Sequence, residues 1–419
     1  MSFELGDCGV RNSSEPREGF FPNLLVISDI LPEQTLGGSL VLFRLLGNYP
    51  SNKILVVGKS HGAPGVYPPR LDNVSYHNLH LSIPRYLLMR INPWWPIMMI
   101  PASTGKISIV KKLISGFNPD AVLSVVCDFM CFLAAAVARD FSIPLHLFCH
   151  DDWSHQQTIR HRRWTKQLGM TSCDWALRGL FRQAASIQCV SKGMVENYQK
   201  RYGVKPDLLI PCRGNDLPTF ELDSKSKLCG QPVIAYAGSI HYPWIARSLN
   251  IFAELIGSQN GYLDVYTPQN CFYSAVQWGL ISKAARFKGF HSPDEFAKSV
   301  SATANALVLP ASFDPADRLD VSTLFPSKLV DYTAIGLPII TWGPEYSTAV
   351  RWVMEHPGSA ELVVNADGNG LLEAIVRVCE PSYGARIGLA GKAAGDVAFN
   401  LDNCRKKFIG LLRQYSKKN

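Results

Sequence analysis

The sequence predicts an α/β protein made of two doubly wound parallel sheets facing each other across a cleft, and three observations lead there. Short, continuously apolar runs alternate with helix-length amphipathic stretches, the pattern of parallel strands covered on both faces. The alternation stops at residues 211–232, where Pro211, Gly214, Asn215, Pro218, Gly230 and Pro232 surround a Ser/Lys-rich stretch and read as a linker. It then resumes, and a chain of 419 residues is long enough for two or three hydrophobic cores.

In the first unit, residues 20–210, LLVISD (24–29) reads as a buried strand that leads through Gly37-Gly38 into a helix near Ser39. KILVVG (53–58), AVLSVV (121–126), PLHLFC (144–149) and SIQCVS (186–191) follow as strands, with a helix around 129–139. In the second unit, residues 233–395, the strands are VIAYAG (233–238), YLDVY (262–266), ARFKG (285–289), ALVLP (306–310), LPIITW (337–342) and ELVV (361–364). Helices near 244–257, 272–283, 293–301 and 326–335 connect them. Two helical stretches, near 369–380 and 396–415, close the chain, and the segment 396–419 is expected to cross back to the first unit. Ligands of such sheets bind beyond the carboxyl ends of the strands, so the cleft is the default site.

Composition narrows the partners. At 47% hydrophobic and 18% charged residues the chain is neither disordered nor fibrous. Lys and Arg number 42 against 34 Asp and Glu, a net charge of +8. That surplus suits an anionic small molecule or an anionic membrane surface and falls short of a nucleic-acid binder. The 11 cysteines contain no C-x-x-C, the closest pair being Cys127 and Cys131, and read as free thiols in a reducing compartment. The first 19 residues lack a signal-peptide pattern. The richest apolar region, 121–149, is broken by Asp128, Arg139, Asp140 and Pro144, so no segment reaches the roughly 20 apolar residues of a membrane span. The expected location is cytoplasmic, with peripheral contact at the inner face of the membrane.

Several motifs are absent. Gly58-Lys59-Ser60 mimics the end of a P-loop, but Lys53 stands where the upstream glycine belongs. No G-x-G-x-x-G follows the first strand, and neither D-x-D nor G-x-S-x-G occurs. Asp314, Asp317 and Asp320, the nearest acidic cluster, read as a solvated loop and not as a metal site.

Three segments are more specific. SIQCVSKGMVENYQKRYG…LLIPCRGND (186–216) runs strand, helix, Tyr-Gly and a strand ending in Pro211-Cys212-Arg213-Gly214-Asn215-Asp216. VIAYAGSI (233–240) is a strand with a glycine turn. FKGFHSPDEFAKSVSATANALVLPASF…TLFPSKLVDYTAIGLPII (287–340) contains the run Pro-Ser-Lys-Leu, acidic residue, Tyr, x-Ala-x-Gly-x-Pro. In this order, with Gly37-Gly38 upstream, residues 24–365 resemble the family 4 glycosyltransferases of GT-B fold. The resemblance implies two Rossmann-like domains, the first holding the acceptor and the second a nucleotide-diphosphate sugar. It also implies retention of anomeric configuration, no metal, no further cofactor, and a hydroxyl acceptor that is a saccharide or a lipid-linked saccharide.

The same positions have their own physical logic. A diphosphate seeks backbone N–H groups at a helix N-terminus and a nearby cation. Thr323, Leu324 and Phe325 precede Pro326, which suits a helix start, and Lys328 adds a point charge. Gly238 and Ser239 let the backbone approach a pyrophosphate closely. Asp331 stands where the family's acidic residue accepts the ribose hydroxyls, and Thr323 replaces its acidic partner eight residues earlier. Ser239 and Ile245 occupy the positions of the family's basic pair, which leaves Arg247, Arg213 or Lys328 to take over. His150 ends the fourth strand in Phe-Cys-His-Asp-Asp, where the family's histidine touches the donor sugar, and Asp151 or Asp152 would fix its tautomer. Gly37 and Gly38 would bring the first loop close to phosphates or acceptor. Segments 84–101 and 153–182, rich in Trp, Met and Arg, read as a surface for anionic lipid headgroups. The rival reading is a non-catalytic sugar-nucleotide or saccharide-binding protein on a degenerate GT-B fold.

Overall fold

In a computed structural model the described residues are 20–35, 37–59, 68–79, 94–158, 163–214 and 231–415. Residues 215–230 of the expected linker, 84–93 of the aromatic segment and 159–162 of the basic one lie outside them. Among the described residues a first sheet holds β1 (Leu24–Ser28), β2 (Ile54–Gly58), β3 (Ser75–Asn78), β4 (Ala121–Val125), β5 (Leu145–Cys149), β6 (Ala184–Cys189) and β7 (Asp207–Leu208). A second holds β8 (Val233–Ala237), β9 (Tyr262–Tyr266), β10 (Ala285–Gly289), β11 (Ala306–Pro310), β12 (Ile339–Trp342) and β13 (Glu361–Val363).

Both sheets are parallel, in the orders β3-β2-β1-β4-β5-β6-β7 and β10-β9-β8-β11-β12-β13. Each therefore reverses its winding beside its first strand, between β1 and β4 and between β8 and β11. The loops leaving β1 and β8 splay apart from their neighbours there, opening a crevice at each sheet's carboxyl edge. Strands β1, β2, β4 and β5 are buried along their whole length, as continuous apolar runs require. This is the two-domain α/β architecture of the GT-B fold. Cys131, Cys149, Cys173, Cys189, Cys212, Cys271 and Cys404 are buried free thiols, small hydrophobes in practice.

Among the elements the structure adds to those expected, three run against the sequence pattern. β3 is a polar edge strand with exposed or half-exposed residues, and β7 is two residues long. The third is the helix Pro381–Ala398, which holds Gly384, Gly388, Gly391 and Gly395. Glycine costs a helix about 1 kcal/mol relative to alanine, so the sequence argues against it. These four glycines share one face, however. A Cβ there would overlap the carbonyl oxygens of Val378, Gly336 and Ser359, and the side chain of Thr333. Glycine lets this helix lie against its neighbours at backbone distance.

The last helix, Leu401–Gln414, leaves the second domain and packs on the helix Gly38–Leu46 of the first. Leu401, Cys404, Phe408, Ile409 and Leu412 belong to the first sheet's core, and Arg405 Nε donates to the Arg44 carbonyl at 2.8 Å. A second seam joins the domains through the helix Lys192–Tyr202. There Glu196 pairs bidentately with Arg351 at 2.6 and 2.8 Å, and Lys192 with Glu355 at 2.7 Å. Ser191 Oγ donates to the Thr323 carbonyl at 2.5 Å. Beside it, His155 Nε2 lies 3.2 Å from Asp320 Oδ2.

Candidate active site

A cavity of about 440 Å³ lies between the domains, where the turns after β1 and β8 face each other. On the C-terminal side Gly238 has φ +119°, a value side chains rarely adopt, and its N–H donates to the Tyr266 carbonyl at 2.9 Å. A Cβ at Gly238 would lie 3.0 Å from Lys328 Nζ and closer still to Cε, so only glycine leaves room for the ammonium. Lys328 is the second residue of the helix Ser327–Ile335 and sits 5.2 Å from the Tyr236 ring centroid. Burial pushes its ammonium down to about 8, with Asp331 opposing. Tyr332 on this helix accepts the Ala237 N–H at 2.8 Å, tying the helix start to the glycine turn. The cavity thus brings together a strained glycine turn, a helix N-terminus, an ammonium and a carboxylate. Such a set can receive an anion at the helix start and the ammonium, and hydroxyl groups at the carboxylate.

On the N-terminal side Gly37, φ +61° and ψ −133°, caps the helix Gly38–Leu46 and lines the cavity. Just behind it, the His150 ring packs against Gly38, where a Cβ would stand 3.2 Å away, and against Phe148 with centroids 4.1 Å apart. Its Nε2 is buried and has no hydrogen-bond partner among the described residues. Burial lowers the imidazole to about 4, so it is neutral at physiological pH. Asp151 is pushed up to about 6, first by burial, then by Asp320 and Asp152. Asp152 does other work than orienting His150. Its carboxylate accepts the His155 backbone N–H and the Arg201 guanidinium, both at 2.9 Å, capping one helix and anchoring another.

Of the residues singled out from sequence, Gly37, Gly238, Ser239, Lys328 and Asp331 line the cavity, and Gly38 and His150 stand behind its wall. Others lie elsewhere. Thr323 is buried at the end of the helix Arg318–Thr323, its hydroxyl donating to the Leu319 carbonyl at 2.7 Å. The Leu324 carbonyl accepts from Thr348, and Phe325 packs edge-on against Phe399 at 5.8 Å. Arg247 is exposed on the helix Pro243–Ser258, beside Gly279. Arg213 pairs with Asp396 and donates to Thr333 Oγ1 at 3.0 Å. Asp314 caps Ala316, Asp317 accepts from Ser312 and Asp320 faces His155, so each acid of that cluster has a structural partner. The described residues contain no group of acids, histidines and cysteines placed to hold a metal.

Sequence reasoning missed Arg44, His241, Tyr266, Phe290 and His291, all of which line the cavity. The His291 ring meets Tyr266 edge-on at 5.0 Å, and its Nδ1 is buried without a hydrogen-bond partner among the described residues. His241 lies below its ordinary value, through burial and then the Lys328 charge. For Arg44 one signal was present: it is the lone charge in an otherwise apolar helical run, GSLVLFRLL.

Residues 56–211 match the family model of Glycosyltransferase Family 4. No curated protein sequence matches the chain. Among solved structures it is similar to HepE of Anabaena in complex with UDP and glucose, at 14% identity and a TM-score of 0.66, over 94% of this chain and 99% of that one. A glycosyltransferase from Rickettsia africae gives 10% identity and 0.63, over 94% and 98%. Trehalose-6-phosphate synthase, studied for glycosyl transfer with retention, gives 10% and 0.59, over 93% and 98%. The chain is similar throughout its length to GT-B glycosyltransferases, and its N-terminal domain to those of family 4.

Proposed function

We propose that this GT-B chain is a glycosyltransferase that moves a sugar from a nucleoside-diphosphate donor to a hydroxyl acceptor with retention of configuration. The observation that carries the reading is the cavity itself. One wall offers the Gly238 turn, the start of the helix Ser327–Ile335, Lys328 and Asp331, and the other offers Gly37 backed by His150. Asp331 would accept ribose hydroxyls while Lys328 and the helix start meet the diphosphate. As the bond from the anomeric carbon to the phosphate oxygen breaks, negative charge grows on the departing phosphate, where fixed dipoles and cations lower the barrier most. The acceptor oxygen bonds the anomeric carbon and its proton passes to the leaving diphosphate, so no side chain need act as base. That HepE was solved with UDP supports a nucleotide-sugar donor.

Calorimetric titration with UDP, GDP and ADP tests the site. Asp331→Ala and Lys328→Ala should each weaken the best ligand roughly tenfold to hundredfold, the about 1.5–3 kcal/mol of a charged hydrogen bond. Unchanged affinity in both variants would sink the assignment. Because burial pushes the ammonium down to about 8 and only its protonated form attracts an anion, wild-type affinity should change little between about pH 7 and 8, where the terminal phosphate is already ionised. Above that range, affinity should fall about tenfold per unit, a slope that Lys328→Met removes. Release of nucleoside diphosphate from a panel of sugar donors, with and without acceptors, separates a transferase from a binding protein.

The acceptor we favour is lipid-linked. The outer face of the helix Arg163–Gln183 presents Leu168 and Trp175, 53% and 65% exposed, with Arg178 and Arg182. Its single acid, Asp174, points inward to Ser154, Arg201 and Tyr202. The helix Trp95–Thr104 packs beside it, with Trp94 and Met98 exposed, and no described helix is long and apolar enough to cross a membrane. Exposed tryptophan flanked by arginine suits an anionic bilayer surface. Co-sedimentation with vesicles should rise with their anionic lipid content and drop in Trp175→Glu. Binding indifferent to lipid charge would remove the membrane from the picture.

A further inference from the structure

We infer that Arg44, on the first domain, supplies a diphosphate-binding cation to the donor site of the second domain. The inference rests on the nucleotide reading of the cavity. Arg44 lies on the helix Gly38–Leu46 among Val41, Leu42, Leu45 and Leu46, all buried, and its own side chain is 8% exposed. Its Nη1 donates to the Cys212 carbonyl at 3.1 Å and stands 3.7 Å from Asp331 Oδ1, across the cavity. Arg44 therefore already reaches the second domain's donor wall.

The second domain needs that reach. Ser239 and Ile245 leave its glycine turn without cations, Arg247 is exposed away from the cavity, and Arg213 is engaged by Asp396 and Thr333. Among the described residues that line the cavity, the lysines and arginines are Lys328 and Arg44. A diphosphate carries more than one negative charge, and a guanidinium fork grips two of its oxygens where an ammonium offers only a point charge. Both Arg44 and the ribose hydroxyls compete for Asp331. Entry of the donor exchanges partners: Asp331 turns to the ribose, and Arg44, losing that carboxylate, turns to the phosphates. The nucleotide then bridges the two domains where the ion pair did before.

A nucleoside and its diphosphate differ only in the group Arg44 is assigned to hold. Titrating UDP, GDP and ADP, each against its nucleoside, with wild-type protein identifies the pair that binds. Arg44→Gln should then weaken the diphosphate tenfold or more and leave the nucleoside unchanged or tighter, since Asp331 is released. Arg44→Lys, which keeps the charge and loses the fork, should fall between and serves if the glutamine variant does not fold. Equal loss for diphosphate and nucleoside would mean a structural role and overturn the inference, as would an unchanged diphosphate affinity beside intact wild-type binding. Wild-type protein that binds none of the six ligands would instead overturn the nucleotide reading on which it stands.

Discussion

Replacing His150 by alanine is expected to lower kcat on the order of 10²-fold or more, with nucleoside-diphosphate affinity close to that of the wild type. The ring is fixed by Phe148 on one side and Gly38 on the other, and its buried Nε2 has no partner among the described residues. An orphaned polar atom at that depth costs free energy that a bound hydroxyl would return. Held neutral by burial, the imidazole offers one donor and one acceptor across the physiological range and does not switch charge with pH. A hydrogen bond to the donor sugar that tightens as the ring flattens acts on kcat, whereas the groups assigned to the nucleotide are Lys328, Asp331 and Arg44. Turnover near wild type in His150→Ala would remove the histidine from the chemistry. Inverted anomeric configuration in the product, read by NMR, would overturn the retaining mechanism altogether.

Gly193→Ala is expected to cost turnover on a similar scale without touching any cavity residue. Gly193 opens the seam helix Lys192–Tyr202, and a Cβ there would run into the Ser322 carbonyl oxygen of the other domain. A backbone oxygen cannot swing aside as a side chain does, so the domains must part. Misplacement by about 1 Å between reacting groups costs on the order of 10²-fold in rate. Each domain keeps its own core, so the variant should stay folded and bind a nucleoside near normally, while transfer falls and diphosphate affinity falls with the Arg44 contact. Full activity in a folded Gly193→Ala protein would show that the seam does not set the spacing of the cleft.

Much of the fold was legible because its strands are buried on both faces, which writes them as unbroken apolar runs such as LLVIS and ILVVG. β3 escaped because an edge strand with solvated sides carries no such run, and the helix Pro381–Ala398 because close packing demanded the residue that propensity rules penalise. The site divides along similar lines. Gly37, Gly238, Lys328 and Asp331 adjoin turns or a helix start, and local sequence places those groups well. Thr323, Leu324 and Phe325 are as near Lys328 in sequence, yet the break before Pro326 separates two helices and faces this stretch toward Ser191, Thr348 and Phe399. Arg44 and Asp331 are 287 positions apart and meet only when two domains dock, which no local pattern encodes.

The helix Leu401–Gln414 gives the chain an unusual schedule of birth. Its Leu401, Phe408 and Leu412 share the core that holds Leu24, so the first domain is completed by residues made after the whole second domain. At about 5–20 residues per second, the roughly 200 residues between Arg213 and Leu412 take on the order of 10–40 s to synthesise. Through that interval the nascent first domain carries an open apolar groove along the helix Gly38–Leu46, which invites chaperones and mispairing alike. Emergence of the helix Leu401–Gln414, and not the end of the first domain's own sequence, is the moment at which that domain closes.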